Sequence, residues 1–235
     1  MKKTVALLVI AFTVLACNQD NPKGLVLNGT IENIKVGTVY LQKIQDGAVI
    51  NLDSVVLDGK NSFSLKANLE EPQLLYVYLN KKDATDYNDR IAFFATDTIM
   101  QFTTDLYNFE NAAVINGGKN QELYRAYTKN SLRLDQVYTE LLKRELTLSA
   151  SQTATDQDYE QLEKELAAYV RKKVIYSVNY ANSYRDKEIA PYLLLQETSN
   201  ANPKLLDSIY NMMPKKIQTS LYGKELSEFL KKSKE

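Results

Sequence analysis

Val36-Gly-Thr-Val-Tyr-Leu-Gln-Lys-Ile44, then Asp46-Gly47, then Ala48-Val-Ile-Asn-Leu-Asp-Ser-Val-Val-Leu57: two runs rich in β-branched residues, separated by an Asp-Gly pair. A two-residue hairpin turn needs positive φ at its central positions, which Asp-Gly tolerates, so this stretch predicts an antiparallel hairpin. Asp58-Gly59 repeats the signal and leads into Asn61 to Ala67, where Phe63, Leu65 and Ala67 share one face. Working outward, Leu25 to Ile31 precedes the hairpin. Gln73 to Leu79 follows Pro72 and is apolar enough for a central strand. Arg90 to Ala95, Thr98 to Thr104 and Ala112 to Asn116 come next. Seven or eight short strands with tight turns predict an antiparallel β-sandwich or open barrel. No helix-length segment interrupts them, which argues against a parallel βαβ sheet.

After Gly117-Gly118 the period becomes helical. Leu123, Tyr127, Leu134, Tyr138, Leu141 and Leu142 fall on one side of a helix over about 120–146. Leu148 to Thr155 reads as a polar connection. Thr155 reads as an N-cap, with Asp156 and Asp158 at the favourable end of the dipole. A second helix over about 156–185 carries Tyr159, Leu162, Leu166, Tyr169, Tyr176, Tyr180 and Tyr184, and the two should pack as an antiparallel hairpin. Three shorter helices are signalled at Ala190-Pro191, Asn202-Pro203 and Ser220. The fold class is therefore α+β with segregated halves: a β domain over 25–117 and an α-helical region over 118–235 packed on it. No linker separates them, and the Leu123, Tyr127, Leu134, Tyr138 stripe needs more apolar cover than one partner helix supplies. Part of it, Tyr127 included, is expected to pack on the β half.

Composition narrows the chemistry. Hydrophobic residues make up 44% and charged residues 25%, an ordinary globular balance. The chain has 29 basic and 29 acidic residues. Without Lys2 and Lys3 that becomes 27 against 29, a net charge of −2, which gives no basic footprint for nucleic acid. There is no histidine, so imidazole acid–base chemistry and His-based triads or metal sites are excluded. A single cysteine leaves no disulfide and no Cys-x-x-Cys pair. Carboxylate chemistry survives, as glycoside hydrolysis or calcium binding. Neither a cofactor motif nor a phosphate-cradling glycine loop is present.

That cysteine, Cys17, closes a leader. Lys2 and Lys3 precede a mostly apolar run from Thr4 to Leu15, too short to span a bilayer, followed by the small residue Ala16. Val14-Leu15-Ala16-Cys17 resembles the lipobox of bacterial lipoproteins, with Leu15 bulkier than the usual residue at its position. The resemblance implies a signal peptide over 1–16, an acylated Cys17 beginning a tether over 17–24, and attachment to the membrane through the acyl anchor only. Asn18 is not the aspartate that retains enterobacterial lipoproteins in the inner membrane, so the expected location is the outer membrane, facing the periplasm, with exposure at the cell surface as the alternative that protease shaving of whole cells would separate.

The ordered set Leu27-Asn-Gly-Thr-Ile31, Gly37-Thr-Val-Tyr-Leu41, Asp53 to Ser64 and Ile115-Asn-Gly-Gly118 resembles the domain of unknown function 4369. That domain is common at the front of thioredoxin-like lipoproteins of the Bacteroidetes group. The resemblance runs over about Gly24 to Phe229. It implies a fold and an envelope compartment, but no disulfide chemistry, because this chain has no redox cysteine pair and stops where the thioredoxin domain would begin. It brings no catalytic residues.

Candidate sites weigh against plain structure. Tyr169, Tyr176, Tyr180 and Tyr184 could stack on sugar rings, but their helical spacing favours packing. Asp83, Asp86 and Asp89 could gather calcium, yet lack the glycine turn and bidentate Glu of a known loop. Glu70, Glu71, Glu160, Glu163 and Glu165 could supply paired carboxylates, though nothing in the sequence brings two together. The favoured expectation is a non-catalytic, lipid-anchored envelope protein with a binding role, for which an envelope protein is the candidate partner. The alternative is a carboxylate-dependent glycan hydrolase, or an accessory protein acting in trans with a thioredoxin-fold partner.

Stable attachment takes two or more acyl chains. Cys17→Ser is therefore expected to move the protein from the membrane fraction to the soluble one with its circular dichroism unchanged. A mutant that still sediments with membranes would refute the lipobox reading.

Overall fold

The computed structural model describes residues 24–81, 89–198 and 200–233. The leader and Cys17 lie outside these residues, as do Asp83 and Asp86.

Among the described residues eight strands precede the long helices: β1 (Leu25–Glu32), β2 (Val36–Gln45), β3 (Ala48–Asp58), β4 (Ser62–Ala67), β5 (Gln73–Asn80), β6 (Asp89–Ala95), β7 (Ile99–Asp105) and β8 (Val114–Asn116). They form two open four-stranded sheets, β4-β1-β7-β8 and β3-β2-β5-β6, a sandwich rather than a barrel. The β2–β3 turn has φ 52° at Asp46 and 77° at Gly47, the positive pair that the Asp-Gly signal predicts. One pairing departs from the antiparallel expectation: β1 and β7 run parallel, from Val26↔Ile99 to Glu32↔Asp105. Side-chain alternation is the same in either direction. Here the whole β2–β6 excursion serves as the long crossover that parallel neighbours require.

The helices are α1 (Lys119–Ala150), α2 (Asp156–Ser183), α3 (Ile189–Glu197), α4 (Pro203–Met212), α5 (Lys215–Gln218) and α6 (Leu221–Lys232). Thr155 caps α2 in a full capping box with Asp158. Asn202 and Ser220 cap α4 and α6. Two expectations need correction. Leu148 to Ala150 are helical, so the connection is shorter than the polar composition suggests. Four helices follow α2 rather than three, since Pro214 starts the single turn α5.

Two cores result. One lies between the sheets, from Leu25, Leu27, Ile31 and Phe102 to Val39, Leu41, Val77 and Phe93. The other collects Leu123 and Tyr127 of α1, Val178 and Ala181 of α2, most of α3 to α6, and one β residue that is fully buried, Phe94. Successive side chains on a strand point to opposite faces, so neighbours Phe93 and Phe94 enter different cores. The Phe94 ring meets Tyr192 at 5.6 Å, Tyr222 at 5.9 Å and Tyr124 at 6.4 Å between centroids. Its amide donates to the buried Gln121 Oε1 at 2.7 Å. The helical residues on the sheet are thus Tyr124, Tyr192 and Tyr222. Tyr127, expected on the β half, instead stacks on Tyr176 at 5.1 Å and meets Tyr180 edge-on at 5.4 Å, both on α2. The sequence stripe marks a buried face without saying which neighbour buries it.

Truncating a fully buried phenylalanine costs about 3–5 kcal/mol. Phe94→Ala is expected to lower stability by that amount in a single calorimetric transition. A mutant in which only a helical transition shifts, leaving the sandwich melt in place, would show that the cores unfold separately.

Candidate functional site

The helical tyrosines that a sugar ladder would use are engaged between α1 and α2. Tyr176 and Tyr180 donate their hydroxyls to the α1 carbonyls of Tyr127 (3.1 Å) and Leu123 (2.8 Å). Tyr169 donates to Asp135 Oδ1 at 3.3 Å and stacks on Tyr138, while Tyr184 lies against Tyr180 at 4.8 Å. They are packing residues. The α2 carboxylates are likewise occupied at the surface: Glu165 with Arg144 at 3.0 Å and Glu160 with Lys164 at 3.8 Å, with Glu163 exposed beside them. Of the aspartate triplet only the backbone of Asp89 is described. Among the described residues no group of three or more acidic or cysteine side chains could hold a metal ion.

The structure assembles a different site. β2 and β5 pair from Thr38↔Asn80 to Gln42↔Tyr76 and no further, although β2 runs on to Gln45 and β5 starts at Gln73. The register of β2 against β3 shifts at Leu41/Gln42, where Leu52 of β3 is the extra residue of a bulge beside the point at which the β2–β5 pairing stops. The strands splay, and the gap opens into a groove of about 850 Å³. Lys43 to Asp46 form one wall and Gln73, Leu74 and Tyr76 the other. Tyr192 and Gln196 of α3 and Leu221, Tyr222 and Glu225 of α6 close it from the helical side.

Polar contacts hold this geometry. The Leu74 amide, which β2 would satisfy in a continuous sheet, donates to Tyr222 Oη at 2.9 Å. Glu71 accepts the Leu221 amide at the start of α6, and Lys224 approaches it at 3.6 Å. A carboxylate at that helix end is favoured by the dipole. Glu70 and Glu71 therefore sit at the groove as sequence neighbours, but Glu71 is committed to capping. The lining has four carboxylates, Asp46, Glu70, Glu71 and Glu225, against the single amine of Lys43. Burial raises the Glu225 carboxyl above its ordinary range, and Glu228 adds to the shift. Burial also pushes Tyr222 up to about 12, opposed by its bond with the Leu74 amide. It pushes Tyr124 up to about 12 as well, with Tyr76 adding to the effect and Tyr192 opposing it.

Sequence reasoning offered Glu70 and Glu71 only as possible paired carboxylates, with nothing to bring them to a site, and missed Tyr76, Tyr192, Tyr222 and Glu225. Their only local signal was an excess of tyrosine, and the groove joins segments 116 positions apart at Tyr76 and Tyr192.

Residues 25–124 match the domain of unknown function DUF4369, covering all eight strands and the first turns of α1. The match supports, over these residues, the resemblance that the motif order carries. The match ends well short of Phe229, so the later helices, with two of the groove tyrosines and Glu225, lie beyond it. No curated protein and no solved structure matches the chain.

The raised phenols set an alkaline limit. A group whose folded pKa exceeds its unfolded value contributes stability that is complete below the unfolded pKa and is lost as pH rises toward the folded one. Tyr124 and Tyr222 rise from the ordinary 10.0 to about 12. Stability is expected to fall as pH climbs from 10 to 12, with part of the phenolate absorbance appearing only as the protein unfolds. Titration of all phenols near pH 10 without loss of structure would contradict this.

Proposed function

We propose that this chain is a non-catalytic, lipid-anchored component of the cell envelope that binds an extended, positively charged segment of another envelope protein in the groove between β2, β5, α3 and α6. The splay of β2 from β5 carries the reading. It leaves lengths of both strands without each other's ladder, and an extended backbone is what such an edge recognises. The groove volume falls within the range of binding sites for small molecules and short segments. Its excess of carboxylates favours cationic side chains, and the tyrosine faces add cation–π attraction. Envelope placement rests on the lipobox at Cys17.

One observation favours a second reading. Glu225, whose carboxyl burial raises above its ordinary range, faces a groove with further carboxylates, the residue types that a glycan hydrolase pairs. Release of reducing ends from envelope glycans, abolished in Glu225→Gln, would establish it.

The binding reading is tested by fluorescence anisotropy with extended peptides of matched length that are cationic, neutral or acidic. Only the cationic set is expected to bind. Glu70→Gln with Glu225→Gln should weaken it about tenfold, the scale of one lost charge contact. Affinity independent of peptide charge, or indifferent to the double substitution, would contradict the reading.

A further inference from the structure

The strand order gathers several features at one end of the sandwich. β1 starts there, with Leu25 opposite Ala67 and Val26 opposite Ile99. β2 begins at the far end, after the turn at Asn33 to Lys35, and returns. Its last residues and the Asp46-Gly47 turn therefore come back to the end where β1 starts. Gly24 agrees with this placement. Its amide donates to Asp97 Oδ1 at 2.6 Å, and its Cα packs against Ala67 and Asn68. Asn68 in turn lines the groove with Lys43 to Asp46.

The tip of the β2–β3 hairpin stands out from this end. Past Gln42, β2 has no β5 partner, and the pairs Lys43↔Ile50, Ile44↔Val49 and Gln45↔Ala48 join it to β3 alone. Side chains alternate across a strand, so Ile44 and Val49 share one face of the ribbon and Ile50 lies on the other with Lys43. These three aliphatic side chains are 47%, 48% and 37% exposed in the order Ile44, Val49, Ile50. The turn projects into open space, since nothing lies within 4 Å of where Gly47 would carry a Cβ. Both faces of the ribbon are thus left open by the described residues.

Chain length selects the occupant. Gly24 lies seven residues after Cys17. On the lipobox reading, on which this inference rests, Cys17 sits at the membrane surface, and seven residues reach at most about 25 Å. The end of the sandwich that carries Gly24 is therefore held over the bilayer. A tether this short gives the tip a high effective concentration there, so a contact of three aliphatic side chains, too weak to recruit a free protein, is enough to set how the body stands. Charge selects the lipid. The groove beside the tip carries Asp46, Glu70, Glu71 and Glu225 against the amine of Lys43, so an anionic surface repels this end and a zwitterionic one does not.

We infer that the Ile44, Val49 and Ile50 tip of the β2–β3 hairpin is a membrane-docking surface, which enters the interface of a zwitterionic bilayer and sets the groove beside it. The chain has no tryptophan, so Val49→Trp and Val56→Trp each supply one fluorescent reporter. The first is at the tip; the second is seven residues on along β3, about 23 Å away, at a position 63% exposed. The acylated full chain is reconstituted in phosphatidylcholine vesicles brominated on the acyl chains. Emission from Val49→Trp is expected to shift to the blue and to be quenched, and that from Val56→Trp to do neither. Adding Ile50→Asp to Val49→Trp should abolish the quenching, with sedimentation on the vesicles and the circular dichroism spectrum unchanged. Phosphatidylglycerol in the vesicles should weaken it. No quenching of Val49→Trp, equal quenching of both reporters, or quenching that survives Ile50→Asp or grows with anionic lipid overturns the inference. The mass of the same sample separates the two readings. A chain without acyl groups at Cys17 refutes the anchor and the inference with it, whereas an acylated chain without quenching refutes the inference alone.

Discussion

The structure depends on the β5–β6 end of one sheet being covered on both faces. β5 and β6 send Leu75, Val77, Leu79 and Phe93 into the sandwich, and Leu74 and Phe94 toward the helices. Most antiparallel sandwiches leave their outer faces to solvent. Here the outer face of β5 and β6, around Leu74 and Phe94, is the floor on which α1, α3 and α6 pack. The helical residues would otherwise expose an apolar face, because α3 is apolar nearly all round, from Ile189 to Leu194. Hydrogen bonds fix the docking. Gln121 takes the Phe94 amide, and Asn120 both donates to Glu188 at 2.9 Å and accepts the Ile189 amide at 3.2 Å, tying α1 to the start of α3.

The groove follows from that constraint. α6 docks against the end of β5, where Tyr222 and Glu71 supply partners for backbone amides on both sides of the junction. An amide that finds a hydroxyl does not need the neighbouring strand. The splay therefore costs little in unsatisfied hydrogen bonds, and the sheet can stay open at Lys43 to Gln45. A site of this kind needs the helices to exist, which is why its lining is divided between the part of the chain that the domain family matches and the part beyond it.

Much of the fold was legible in the sequence because its signals are local. The Asp46-Gly47 turn, the Thr155 capping box and the Asn202-Pro203 start each lie within a few residues, and each is found where its chemistry puts it. What was not legible is relational. The parallel β1–β7 pairing looks the same as an antiparallel one in alternation. Lys43 to Gln45 reads as ordinary strand, with nothing to say that β5 has left it. The tyrosine stripe on α2 announces burial, but only the fold shows that Tyr176 and Tyr180 bond α1 carbonyls while Tyr192 and Tyr222 reach the sheet. The envelope reading rests on the resemblance of Val14 to Cys17 to a lipobox, outside the described residues.

Native-state hydrogen exchange addresses the shared sheet most directly, because it reports the free energy of opening amide by amide. If the sheet joins the two cores, the amides of Leu75 and Phe93 in the sandwich, and those of Tyr127 and Leu193 among the helices, exchange through the same global opening. Their protection should fall together as denaturant is added. If the helical amides exchange at a distinctly lower free energy while those of β5 and β6 stay protected, the helices open independently, and the sheet does not join the two cores.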